Sequence, residues 1–190
     1  MRPIPLLALL TACASSLAAQ SGNWPTYGND AGGLKYSPLA DVNRETVARL
    51  KPAFTWDANE QPIRASDGQK AARPGLFQAT PLAINDTLFF PTPYNRVIAL
   101  DATTGKEYWS YDPQAWKTYG QPSNGTGLVH RGVATWSNGK ERRVFLNSRW
   151  RLIALDAKTG KPIPSFGTRG EVDLTAALSL KGDWRLLEAA

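Results

Sequence analysis

"RVIALDATTGK" (residues 96–106) returns as "RLIALDAKTGK" (residues 151–161), with nine of eleven positions identical at an offset of 55 residues. The apolar run that opens each copy has the length and β-branched content of a buried strand. Asp-Ala-x-Thr-Gly follows, in which Asp accepts backbone N–H bonds and Gly is free to take a positive φ. "KEYWSY" (106–111) then alternates as an outer strand does. Each copy therefore reads as strand, tight turn, strand.

The strands before each copy are legible too. "PLAIND" and "TLFFPT" (81–92) form a hairpin turning at Asn85-Asp86, and "GVATWSNGKERRVFLNS" (132–148) forms another turning at Asn138-Gly139. Hairpin, short link and hairpin thus occur twice. A period of 55 residues built from strands predicts one four-stranded antiparallel blade per period, and so an all-β, propeller-type fold. Trp109 is placed to wedge between neighbouring blades. The matching position of the second copy is Pro164, with Phe166 as the nearest substitute. The one helical pattern is "NRETVARL" (43–50), where Asn43 can cap and Val47 and Leu50 share a face.

Beyond a 19-residue leader, 171 residues remain, about three blades at this period. A closed propeller needs about 4–8. The chain is therefore expected to be a partial propeller, residues 20–190 forming the front part of a larger protein.

Composition excludes several classes. With 42% hydrophobic residues and seven Trp, the chain is neither disordered nor purely electrostatic in purpose. The net charge of +6 comes from scattered Lys and Arg, with Arg142-Arg143 as the one adjacent pair, so no nucleic-acid footprint is present. Residues 1–19, "MRPIPLLALLTACASSLAA", read as an export signal: Arg2, a short apolar run, then small residues before the cleavage point. That run is too short to span a bilayer, so the mature protein is expected to be exported and periplasmic. Leu10-Thr11-Ala12-Cys13 resembles a bacterial lipobox, which makes Cys13 a candidate lipid-attachment site and the one route to a membrane. An incidental Cys in an ordinary signal is the alternative. Cys13 is the single cysteine, which rules out disulfides within the chain.

"NWPTYGNDAGGLKYSPLADVNRETVARLKPAFTW" (23–56), "FQATPLAINDTLFFPTPYNRVIALDATTGKEYWSYDP" (77–113), "HRGVATW" (130–136) and "RLIALDAKTGKPIPSFGTRGEVDLT" (151–175) together resemble the opening of the pyrroloquinoline-quinone (PQQ) dependent dehydrogenases. The likeness runs from residue 23 to about 175. It implies an eight-bladed propeller with the quinone on its axis. It also implies a calcium ion as Lewis acid, an Asp base from a later blade, and a small alcohol or sugar as substrate. The electron acceptor would be a quinone or a cytochrome c. The glucose- and quinate-oxidising branch is the most similar, without its membrane-spanning N-terminus.

The resemblance carries three positions toward the cofactor. Gln78 stands where many relatives place a Glu beside the quinone, keeping a hydrogen-bonding group but not the charge. Arg131 matches an Arg that contacts PQQ, with Gly132 expected to leave room for close backbone approach. His130 precedes it, whereas the glucose-oxidising members place their site His three residues earlier, at Gly127 here. The plainer alternatives are a polar strand residue, an ion-pair partner and a satisfied histidine. Calcium ligands are expected beyond residue 190. A propeller of similar repeats with no cofactor, of the outer-membrane assembly lipoprotein type, is the competing class. The leading segment and HRGV favour the enzyme.

Overall fold

The computed structural model describes residues 22–66, 71–119 and 128–176. The expected export signal and Cys13, Gly127 and the last stretch from residue 177 lie outside the described residues.

Two four-stranded antiparallel sheets carry the fold. The first contains β1 (Leu82–Ile84), β2 (Thr87–Pro91), β3 (Val97–Asp101) and β4 (Glu107–Tyr111) in that order. The second contains β5 (Ala134–Ser137), β6 (Arg142–Ser148), β7 (Arg151–Asp156) and β8 (Glu171–Asp173), again in chain order. Asn85 and Asp86 turn the first hairpin, both at positive φ (47° and 58°), as a two-residue turn between twisted strands requires. The second hairpin pairs Ser137 with Arg142. Its tip is therefore four residues long, and Asn138 Oδ1 accepts the Lys140 and Glu141 amides at 2.9 Å each.

The repeated turn is the same object twice. Asp101 Oδ1 accepts the Thr104 amide at 2.7 Å and its hydroxyl at 2.9 Å. Asp156 Oδ1 accepts both from Thr159 at 2.8 Å. The glycine then enters the left-handed region, at φ 73° for Gly105 and 70° for Gly160. Here glycine is also demanded by space. A Cβ on Gly160 would lie 2.5 Å from the Trp109 ring, and one on Gly105 would lie 2.4 Å from the Phe54 ring. Trp109 Nε1 donates to Ala157 O at 3.0 Å, which seats the indole on the next sheet's turn. Trp109 is thus the expected wedge between blades. Phe166 does not repeat it: its ring packs 5.6 Å from Phe145 of its own sheet, from a turn rather than an outer strand.

The 55-residue period extends to the leading segment. "PAFTWDA" (52–58) stands one period before "EYWSYDP" (107–113), and its contacts repeat accordingly. Phe54 covers Gly105 as Trp109 covers Gly160. Arg96 Nη2 donates to Ala58 O at 2.7 Å, and Arg151 Nη2 donates to Pro113 O at 2.7 Å. Residues 52–58 therefore occupy the place of an outer strand flanking the first sheet. The expected three blades are, among the described residues, two sheets plus this one outer-strand equivalent. Among the described residues, the leading segment has an isolated antiparallel bridge, Ile63 to Ala72, and no four-stranded sheet of its own.

Two cores result. Between the sheets, Phe89, Val97 and Ala99 meet Val144, Leu146, Ile153 and Leu155, all buried. Each such aliphatic side chain contributes about 1.5–3 kcal/mol through burial. On the far face of the first sheet, Phe90, Ile98 and Leu100 are covered by Phe54 and Trp56. Near residue 43 the expected helix is a single 3-10 turn, Val47–Arg49. Asn43 Oδ1 accepts the Glu45 and Thr46 amides at 3.0 Å just before it, but the N-cap is Thr46, with no side-chain capping bond, and Val47 and Leu50 stay exposed. A short helix, α1 (Ala115–Tyr119), was not anticipated; it buries Ala115 against Tyr94 and Leu128.

Candidate functional site

Strand direction separates the two ends of the sheets. The turns at 85–86, 101–105, 138–141 and 156–160 lie at one end. The approaches to β1 and β5, residues 78–81 and 130–133, lie at the other. The two approaches are joined there, where the Thr80 amide donates to Arg131 O at 2.8 Å. Gln78 and Arg131, 53 residues apart in sequence, are thereby carried at the same end, and both are exposed. Neither side chain has a hydrogen-bond or ion-pair partner among the described residues. Gly132 is not needed for this approach: a Cβ there would sit 3.7 Å from Thr80 O, an ordinary contact.

His130 is committed to the backbone. Its Nδ1 accepts the Gly132 amide at 3.3 Å, which leaves Nε2 to carry the proton and donate to Asn147 O at 2.6 Å. Burial lowers its pKa, while the bond to Asn147 works in the opposite direction. The ring is therefore a neutral clasp between the approach to β5 and β6.

Two residues of the leading segment join this end. Trp24 pairs with Ala83 on the outer side of β1, and Thr135 Oγ1 donates to Pro25 O at 3.2 Å, so the segment runs along both first strands. Beyond it, Lys35 Nζ donates to the Tyr27 hydroxyl at 3.1 Å and lies 4.4 Å from the ring centroid. The Tyr27 pKa is lowered chiefly by that hydrogen bond, then by the Lys35 charge, and also by Arg131. Arg131 and the Tyr27–Lys35 pair thus share one electrostatic neighbourhood. Their separation in sequence left no local pattern to read.

Beneath this end lies a hydrogen-bonded polar support built on Glu60, whose side chain is 6% exposed. It accepts from Arg96 Nε at 2.9 Å, from the Tyr94 amide at 3.0 Å and from the Thr92 hydroxyl. Asn95 continues the network, donating to Leu128 O at 2.5 Å and accepting from Ser148 at 3.3 Å. The β2–β3 loop is thereby tied to the leading segment and to the second sheet. A buried carboxylate is tolerated because several donors face it. Among the described residues no group of three His, Cys, Asp or Glu could hold a metal ion. No helix there is long and apolar enough to cross a membrane.

Comparison with known proteins gives this arrangement relatives. Residues 24–187 match the family described as PQQ glucose/ethanol/alcohol dehydrogenase, β-propeller domain. The chain is 35% identical over 181 residues to "Probable quinate dehydrogenase (quinone)" of Xanthomonas campestris pv. juglandis, covering 85% of this chain and 22% of that protein. It is 39% identical over 152 residues to the dehydrogenase subunit of an alcohol dehydrogenase (quinone) of Gluconacetobacter polyoxogenes, covering 77% of this chain and 18% of that one. The quinohemoprotein alcohol dehydrogenase from Comamonas testosteroni superposes with a TM-score of 0.61 at 27% identity, over 88% of this chain and 21% of that chain. The chain spans about a fifth of the length of these relatives.

Proposed function

We propose that this chain, which belongs to the PQQ glucose/ethanol/alcohol dehydrogenase β-propeller family, forms the first blades of an exported quinoprotein that oxidises an alcohol or a sugar. The observation that carries this reading is the bond from Thr80 to Arg131 O, which holds exposed Gln78 and Arg131 at one end of adjacent sheets.

The residues present suit the cofactor. PQQ is a tricarboxylate, and Arg131 offers paired N–H donors with no carboxylate partner among the described residues. Gln78 adds a neutral group that both donates and accepts. When bound, PQQ supplies the two-electron acceptor for a hydroxyl-bearing carbon. The chain's own part is orientation and charge. His130 fixes the backbone from which Arg131 projects and, being neutral, adds no second charge. Lys35 contributes a second cation, held in place by Tyr27. A calcium ion belongs to the reading, and its donors are assigned to the remaining blades. The electron acceptor is a quinone or a cytochrome c.

The product of the complete gene, loaded with PQQ and calcium, is expected to reduce a redox dye with a primary alcohol, an aldose or a cyclic polyol acid. Residues 20–190 alone are expected to give no turnover, because two sheets do not enclose an axis. The reading fails if the complete product shows no quinone-dependent dye reduction with any of the three. Export is part of the proposal, through a leader that ends before Cys13, the lipid-bearing residue. Cys13→Ser should then release the protein from the membrane fraction. An unmutated protein that is wholly soluble, cleaved near Ala19, would end the anchor while leaving export intact.

A further inference from the structure

At the turn-bearing end, opposite Arg131, the two sheets part and leave an open groove of about 280 Å³. Ile84 and Phe89, both buried in the core between the sheets, form its apolar floor. Lys140 and Lys158, from two turns of the second sheet, and Arg142, the first residue of β6, line it.

The groove is also lined by two carboxylates, Glu141 and Asp156, each with one oxygen already hydrogen-bonded. Glu141 Oε1 accepts from Arg143 Nη2 at 2.7 Å, and the Arg143 guanidinium lies 5.2 Å from the Trp136 ring. Asp156 Oδ1 accepts the Lys158 and Thr159 amides and the Thr159 hydroxyl at 3.1, 2.8 and 2.8 Å. Among the described residues, no carboxylate lies within ion-pair distance of Lys140, Arg142 or Lys158. Three cations thus line the cleft beside two carboxylates, and none of the three is ion-paired among the described residues.

We propose that this groove binds a small organic anion, with an apolar body against Ile84 and Phe89 and a carboxylate or phosphate among the three cations. The volume sets the size. It falls just below the roughly 300–1,000 Å³ of drug-sized sites, which limits the ligand to about one ring. All the groups involved lie within the two sheets, so the site does not depend on the remaining blades or on the quinone reading.

The test is ligand-observed saturation-transfer NMR on the 190-residue chain, with benzoate as the charged probe and benzyl alcohol as its neutral counterpart. Benzoate should bind saturably and more tightly than benzyl alcohol. Replacing the two exposed cations (Lys140→Gln with Lys158→Gln) should weaken benzoate by about threefold or more and leave benzyl alcohol unchanged. Arg142→Gln should act in the same direction, with circular dichroism confirming that each variant keeps its strands. Non-saturable benzoate binding, equal binding of the two probes, or a loss below about threefold in the double variant would overturn the proposal.

Discussion

Asp101 uses both carboxylate oxygens. Oδ1 receives the Thr103 and Thr104 amides and the Thr104 hydroxyl, while Oδ2 receives the Tyr108 hydroxyl at 2.6 Å. The Tyr108 bond, followed by those from Thr104, lowers its pKa to about 2. The ordinary value is about 3.9. A depressed carboxyl pKa stabilises the fold above the unfolded-state value, and that stabilisation is lost as pH falls through the folded-state value. The difference in unfolding stability between wild type and Asp101→Asn should therefore be constant above about pH 4 and shrink as pH approaches 2. Chemical denaturation across that range measures it. A difference independent of pH would show that the turn does not use the charge. The raised Tyr108 pKa is the other side of the same bond, since ionising the phenol would remove the donor.

Among the elements, those with local signatures were legible in the sequence. β1 to β4 and β5 to β7 coincide with the alternating or apolar runs, because strand period and turn chemistry are written within a few residues. The helix expected at 43–50 is a single 3-10 turn, Val47–Arg49, since a cap-type residue and two apolar positions do not make a helix without a surface to bury them. The outer-strand place of residues 52–58 was missed because its period shows in contacts to Gly105 and Arg96 more than in identities. At the site, Gln78 and Arg131 were readable through family resemblance. Glu60, Tyr27 and Lys35 were not, because their roles arise from long-range packing. Phe54→Ala tests the element directly. It should destabilise by no more than the low end of the roughly 3–5 kcal/mol for a buried Phe, since Phe54 is only half-buried. It should also hasten proteolysis of residues 57–63, whose anchor to Arg96 depends on this docking. Unchanged cleavage would mean that Glu60 alone holds the segment.

For the whole molecule, two sheets share one core, and a leading segment reaches from the outer face of the first sheet to the first strands of both. That segment exposes Leu34, Tyr36, Val42, Val47 and Leu50 by half or more. In the proposed function, the end marked by Gln78 and Arg131 faces the quinone. This is tested most directly by titrating PQQ, at fixed calcium, into the complete gene product with Arg131 and with Arg131→Lys. Lys keeps the charge but cannot offer the paired donors, so affinity should fall by roughly 1.5–3 kcal/mol, with thermal stability little changed. Equal PQQ affinity in the two proteins would contradict the account and leave Arg131 a surface residue.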